Sequence, residues 1–539
     1  MRRALPLIAL LVLACPAAAS ASATQESLFQ DDNHLEFAPP ARVAKTLDEL
    51  KALGVDRVRV TVFWRSVAPS PGARTMPSGF DAGNPDAYQQ AKWERYDTLA
   101  QMAGARGIGV LWDIAGPAPN WATGTPSRRD LDATWYPDPA DFGAFVRAVG
   151  TRYSGSFLRP ADRPKTTHVP AKGTPGLPGY VPAHDLTTKA GDPLPRVSAW
   201  EIWNEPNQGG WLTPQWTKHG RSQVPTSPRT YRALADQMYA ALGATGHGAD
   251  TILLGATAPK GLNVKGVSHA MKPQVFIRDL YCVDRHNQVF RGRAAILRGC
   301  PTSDPLHQLP AQHPVLFHAT GFSHHPYELT FAPDHRPPDR DYITIANLKN
   351  LSTTLRLAYL RYGQAFPHGG VPLYLTEFGY QTNPPDQLGV SPGRQAVYLD
   401  EAEYMAFRNP AVQMLSQFLL VDDGAPVGLT FQSGLRYHDG RAKPALAAYR
   451  LPIWLPDRSA RRGSLIRVWG LVRPAANGSA VTAAVQFRSN HAKRYRTIAR
   501  FPTTAPRNYL YHRVRLPGTG SIRLRWNGLV SRAVSVRAR

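Results

Sequence analysis

The chain reads as an α/β protein, a (β/α)8 TIM barrel followed by a small all-β sandwich. Three observations predict this. Short, largely apolar strand patterns alternate with helix-length amphipathic stretches from about Ser27 to Tyr449. Two of those strands stop at a polar cluster that contains a glutamate, Asn204-Glu205-Pro206-Asn207 and Thr376-Glu377-Phe378-Gly379. Past Arg462 the apolar period changes to two, in short runs separated by turns. A length of 539 residues suits one large domain and one small one, with the barrel over 24–453 and the sandwich over 462–539.

The barrel elements follow in order. The first strand is placed at Ser27 to Asp31, ahead of a helix from Ala41 to Leu53 whose apolar face is Val43, Leu47 and Leu50. VDRVRVTVF, Val55 to Phe63, is the second strand, and a Pro- and Gly-rich loop leads from it to the helix Tyr88 to Gly104. The third strand, Ile108 to Asp113, precedes IAGPAPNWA, which puts Trp112 and Trp121 in reach of a cleft. A helix beginning at Asp138 or Asp141 runs to Tyr153, and Arg159 to Pro195 is a Pro-, Gly- and Thr-rich insertion expected as a rim loop beside the fourth strand. The fourth strand lies in VSAWEIW, and Tyr231 to Leu242 and Thr251 to Gly255 supply the next helix and strand. The sixth strand is read at Val315 to Thr320, running into GFSHHPY. A helix from Ile343 to Tyr362, the strand of VPLYLTEFGY, a helix from Ser391 to Arg408 and a strand from Ala411 to Leu420 complete the set.

Residues 1–23 have the layout of a secretory signal: Arg2 and Arg3, an apolar run from Ala4 to Ala14, then small residues through Ala23. A secreted, extracellular protein is expected; VLAC at Cys15 leaves a lipid-anchored form as the alternative. No later run reaches the length of a membrane span. Cys282 and Cys300 then remain as an even pair in an oxidising compartment, which favours a disulfide over two metal ligands, since close CxxC spacing is absent.

A carboxylate where a buried strand runs out is either well paired or working. Pro206 holds Glu205 in extended backbone at its strand's rim, and Glu377 ends another strand. Two such glutamates are what acid and base work on a glycosidic bond needs. Arg59, inside the second strand, needs buried partners. Aromatic faces pack on sugar rings, so Trp64, Trp112 and Trp211 are candidate subsite residues, whereas Trp203 is expected in the core.

WNEPN together with TEFG resembles the retaining glycoside hydrolases of clan A, and EIWNEPN is most similar to glycoside hydrolase family 39, with related branches of family 5 close behind. The resemblance implies a two-glutamate double displacement with no cofactor and no metal: Glu205 as acid/base, Glu377 as nucleophile. It also implies that Asn204 holds the sugar 2-hydroxyl and that Arg59 pairs with the nucleophile. Tyr327 would donate to Glu377 and His325 would contact sugar or the acid/base, with His324 competing for that place. One departure stands out: where many clan relatives carry a Trp at the end of the eighth strand, QFLLVDDG offers Phe418, Asp422 and Asp423, as hydroxyl ligands or as a loop cap.

Loops at Pro69 to Pro85, Arg159 to Pro195 and Ser222 to Pro228 are long enough to close one end of a groove or to line a channel. Exo action on β-xylosides, β-glucosides or a related glycan is the expectation. A non-catalytic glycan-binding or adhesion protein on a degenerate barrel is the alternative. From Leu451 onward 18 Lys or Arg face one acid, Asp457, giving +17 of the whole chain's +24. Such a sandwich suits a structural brace with arginines on its wet face, or a contact with an acidic glycan or the cell envelope. No helix-turn-helix, zinc-finger or RNA-reading motif accompanies the charge, so no nucleic-acid partner is expected.

Overall fold

The computed structural model describes residues 22–426 and 430–539. The leader read at 1–23, Cys15 included, falls almost wholly outside the described residues.

Eight parallel strands close a barrel: β1 (Glu26–Gln30), β2 (Arg57–Phe63), β3 (Gly109–Ala115), β4 (Ala199–Ile202), β5 (Thr251–Thr257), β6 (Gly321–His324), β7 (Leu373–Leu375) and β8 (Val412–Phe418). Each strand pairs with its sequence neighbours, and β1 closes the ring against β8 with Gln30 beside Phe418. Period-two alternation sorts the side chains. On β2, Val58, Val60 and Val62 join the core under the surrounding helices, while Arg59 takes the opposite parity and enters the lumen. Leu28, Leu111, Ala199, Leu253 and Met414 fill the lumen as a separate apolar cluster. Two helices start where sequence signals put them: Asp138 accepts from the Ala140 and Asp141 N–H groups to cap Pro139–Arg152, and Ser391 caps Pro392–Phe407.

The sixth strand corrects the sequence reading. Val315–His318 is a short helix begun by Pro314, and the strand is Gly321–His324 instead. The run VLF suits either state over so few residues. GFSH wins the strand position because Gly321 lets β7 approach: a Cβ there would stand 2.6 Å from the Pro372 carbonyl oxygen. The insertion is also relocated. Thr166–Val169 and His184–Thr187 form an exposed antiparallel hairpin in a helix-to-strand connection, which leaves a (β/α)8 barrel from the face opposite its active one.

Cys282 and Cys300 are joined, as expected. The Arg232 guanidinium donates to the carbonyls of Leu280 and Gly299 beside them. Among the described residues no helix is long and apolar enough to cross a membrane.

The C-terminal strands build a second core from Ile466, Val468, Val485, Leu510, Ile522 and Leu524. Strands β9 (Leu465–Leu471) and β12 (Tyr509–Arg515) form one sheet with Ile453–Trp454. The facing sheet has the order Ser459–Ala460, β14 (Val534–Ala538), β13 (Gly520–Trp526), β10 (Thr482–Ser489) and β11 (Arg496–Pro502). The first sheet docks on the barrel: Trp469, Leu471 and Tyr509 pack with Phe407. Arg473 pairs with Glu403, Arg532 with Asp400, and Arg507 with Glu26 and Asp56. Glu26 opens β1 and Asp56 immediately precedes β2, so the sandwich braces the N-terminal end of the barrel.

Candidate active site

The opposite, C-terminal end of the barrel holds a cavity of about 680 Å³ lined in part by Gln30, Asn204, Glu205, Tyr327, Glu377 and Phe418. Its polar centre is organised by Arg59. Nε lies 2.5 Å from Glu201 Oε2, Nη1 donates to Gln30 and Glu377 at 2.7 Å each, and Nη2 donates to Asn204 Oδ1 at 2.8 Å and lies 3.1 Å from Asp113 Oδ2. Arg59, Glu201 and Asp113 are fully buried. An uncompensated guanidinium there would be untenable, and the carboxylates need it equally. Burial pushes Asp113 up to about 7. At Glu201 burial acts in the same sense and is the largest influence, but the charges of Arg59 and His325 with hydrogen bonds from Ser323 and Thr376 together outweigh it and hold the carboxyl below its ordinary range.

The chain leaves β4 under strain, and Glu205 is not in the extended backbone that the following proline predicts. Trp203 and Glu205 both have positive φ, 63° and 38°, uncommon for residues with a Cβ. The Trp203 N–H donates to the Ile114 carbonyl and the Glu205 N–H to the Ala256 carbonyl, so β3 and β5 hold the turn in place. That turn presents Glu205 to His325, whose Nδ1 stands 3.0 Å from Glu205 Oε1 and 3.6 Å from Glu377 Oε2. Burial alone would lower the His325 pKa, but Glu377 and Glu205 raise it above the ordinary histidine value. The Tyr327 hydroxyl donates to Glu377 Oε2 at 3.1 Å. One carboxylate oxygen of each glutamate and a ring nitrogen of His325 lie within 4.8 Å of one another. Glu and His side chains in such a triplet are metal-ligand types. Here Glu377 Oε1 accepts from Arg59 and Oε2 from Tyr327, and His325 Nδ1 is shared with Glu205, so these atoms already have protein partners, while the buried His325 Nε2 has none among the described residues.

Of the residues singled out in the sequence, Glu205, Glu377, Asn204, Arg59, His325 and Tyr327 converge, and Trp211 lines the cavity while stacking on Phe63 at 6.3 Å. Asn204 gives its carbonyl oxygen to Arg59, which leaves its amide –NH₂ as a donor.

Three others do not belong. His324 is fully buried, takes a hydrogen bond from Thr257 at Nδ1 and meets the Ile343 carbonyl at Nε2; burial depresses it to about 3. Trp112 has the parity opposite to Asp113 and packs outward against Tyr96 and Tyr153. Trp64 is buried among Trp121, Phe142 and Phe145. Trp203 is core, as expected. At the end of β8, Asp422 pairs with Lys443 at 2.6 Å and Asp423 accepts from Asn33 and the Phe431 N–H, so both close the loop. Phe418 and Phe431, edge to face at 5.2 Å, occupy that wall. None of the loops Pro69 to Pro85, Arg159 to Pro195 or Ser222 to Pro228 contributes to the cavity lining.

Glu201, Asp113 and Gln30 were missed by sequence reasoning. A signal was there: Trp112-Asp113-Ile114 and Trp200-Glu201-Ile202 repeat one pattern, and the two triplets lie side by side in register. An acid between two outward apolar residues of a barrel strand must face the lumen.

No protein-family model and no curated protein matches the sequence. Among solved structures, this chain is similar to a calcium-binding mutant of Bacteroides uniformis beta-glucuronidase 2, at 10% identity and TM-score 0.38, over 96% of this chain and 45% of that one. The chain therefore spans less than half of that protein. GH5_18 from Streptomyces cattleya, in complex with GlcNAc, is similar at 15% identity and TM-score 0.44 over 80% and 79% of the two chains. A beta-glucosidase from Thermotoga maritima, in complex with castanospermine, is similar at 12% and 0.43 over 79% and 97%.

Proposed function

We propose that the protein is a retaining glycoside hydrolase of clan A. One observation carries the reading: carboxylate oxygens of Glu205 and Glu377 within 4.8 Å of each other, across the floor of a cavity large enough for a sugar. Retaining enzymes keep their carboxyl groups about 5 to 5.5 Å apart and inverting ones about 6.5 to 9.5 Å, because only the latter must admit a water between carboxylate and sugar. Glu377, held by Arg59 and Tyr327, attacks the anomeric carbon while Glu205 gives its proton to the departing oxygen. Water then adds to that carbon, surrendering a proton to Glu205 and releasing Glu377. Asn204 offers its amide to a hydroxyl beside the reacting carbon, and Trp211 offers a ring face. EIWNEPN favours family 39 within the clan, and the leader pattern, Arg2 and Arg3 ahead of an apolar run, with the Cys282–Cys300 bridge favours an exported enzyme.

The substrate is a β-glycoside, and glucosides and xylosides are the first to screen. The three long loops neither close nor line the cavity, so they favour neither exo nor endo action, and product analysis decides it. A 2-deoxy-2-fluoro glycosyl trap tests the reading: mass analysis should find the sugar on Glu377. Sugar binding without label or turnover would show a degenerate barrel instead.

A further inference from the structure

The outer sheet of the sandwich carries a feature that bracing does not require. Of its two sheets, β9 and β12 face the barrel, so the sheet of β14, β13, β10 and β11 turns its outer face away from it. On β10 the core takes Ala483, Val485 and Phe487, which leaves Ala484, Gln486 and Arg488 outside. The register extends that outer row on both sides. Ala484 pairs with Arg525 and Arg500, Gln486 with Arg523, and Ser521 with Ser535, two residues before Arg537. Arg500, Arg525, Arg523, Arg488 and Arg537 thus share one face, in a stripe about 20 Å long by strand and residue spacings.

None of these five arginines has an ion-pair partner among the described residues, and the segment after Asp457 contains no Asp or Glu. This differs from the docking side, where Arg473, Arg507 and Arg532 each meet a barrel carboxylate. The stripe is ordered as well as charged. Tyr495 stands under Arg523 at 3.9 Å and Arg488 at 4.9 Å, its hydroxyl 2.8 Å from Ser521 Oγ, and Arg523 Nε donates to Gln486. Unneutralised guanidinium groups lined along one outer sheet face fit a linear polymer with repeating anionic groups. The Tyr495 ring is engaged by guanidinium groups on this face, so stacking of a nucleobase is not what the surface offers.

We infer that this face binds an acidic polysaccharide, with uronate or sulfate groups along the stripe, and tethers the barrel to it. The inference stands apart from the proposed hydrolysis. The test uses the full chain and measures affinity for polygalacturonate and dextran sulfate, with uncharged dextran as reference, over a series of NaCl concentrations. The triple variant Arg500→Gln/Arg523→Gln/Arg525→Gln should bind at least ten-fold more weakly, with a shallower salt dependence, while its thermal midpoint and hydrolysis of soluble aryl glycosides stay unchanged. A second triple, Arg462→Gln/Arg513→Gln/Arg515→Gln, removes the same charge from exposed positions off the stripe and should bind as the parent does. Equal losses in the two triples would show a diffuse charge effect and overturn the inference. So would binding to neither polymer at about 0.1 M salt, where the screening length is roughly 10 Å, or tighter binding to phosphatidylserine vesicles or duplex DNA.

Discussion

Arg59 Nε and Glu201 Oε2 stand 2.5 Å apart in the closed interior of the barrel, and the same guanidinium reaches Glu377 at 2.7 Å. The pair ties the orientation of the reactive carboxylate to a residue one layer below it, on a different strand. A lysine carries the charge but, as a compact ammonium, cannot serve Glu201, Gln30, Glu377, Asn204 and Asp113 together. Arg59→Lys should therefore lower kcat on aryl glycosides about 10²-fold, the scale of losing one preorganised electrostatic contact. Arg59→Met strands buried carboxylates and should cost about 3–5 kcal/mol. Steady-state kinetics and urea midpoints check both. Near-parental activity in Arg59→Lys would show that Glu377 needs no fork.

Glu36 makes a pH prediction that leaves the catalytic groups untouched. It is buried, accepts from the Tyr96 hydroxyl at 2.8 Å, and its Oε2 has no hydrogen-bond partner. Burial, with the charge of Asp32 adding, pushes it up to about 9 from 4.5. Between those values the folded protein keeps a proton that the unfolded chain releases, so this group's contribution to stability is full below pH 4.5 and falls as pH rises toward 9. The slope is about 1.4 kcal/mol per pH unit at its steepest. Glu36→Gln removes the linkage, so its urea midpoint should gain on the parent's between pH 5 and pH 8. Parallel pH profiles would refute the assignment.

Much of the barrel could be read from the sequence because strand and helix periods differ over segments long enough to separate them. Val43, Leu47 and Leu50 were placed on the buried face of their helix by spacing alone. Val315 to Thr320 failed because a short apolar run does not distinguish one helical turn from a strand, and the close contact that decides it, Gly321 against Pro372, comes from another element. At the site, motif residues were found and their supports were not. Aromatic character shows in sequence and makes Trp64 and Trp112 candidate platforms, whereas the side of a strand shows only once one lumen residue is known. With Arg59 fixed as inward, the registers Arg59 to Leu111 and Asp113 to Glu201 put Trp112 outside the cleft and both acids inside, while Trp64 lies past its strand's end in the short helix Trp64–Val67.

The brace makes a separate prediction. Arg473 is buried, donates to the Tyr449 carbonyl and pairs with Glu403 on a barrel helix. Removing it leaves Glu403 buried without its cation, so Arg473→Ala should destabilise by about 3–5 kcal/mol, and Glu403→Gln added to it should recover part of the loss. Truncation before Leu451 would strip Trp469 and Tyr509 from Phe407 and should lower the thermal midpoint of the barrel. An unchanged midpoint would mean that the sandwich is carried without supporting the fold.

His325 offers a way to watch the reaction's charge change. Its ring lies within 3.0 Å of Glu205 and 3.6 Å of Glu377, and against burial their charges raise its pKa. Esterification of Glu377 in the glycosyl-enzyme removes one of those charges while leaving the ring buried, so the His325 pKa should fall when the intermediate forms. A proton then becomes easier to lose from this cluster at the stage when Glu205 must take one from water. NMR of labelled imidazole in the free enzyme and in the 2-deoxy-2-fluoro adduct measures this directly, and Glu377→Gln should move the titration in the same downward direction. His325→Asn should reduce kcat more than it raises KM, because the ring meets the two carboxylates before any sugar arrives. If the His325 titration were the same in the free enzyme and the adduct, the charge of Glu377 would not be what raises it, and the coupling between this ring and the esterified carboxylate would be refuted.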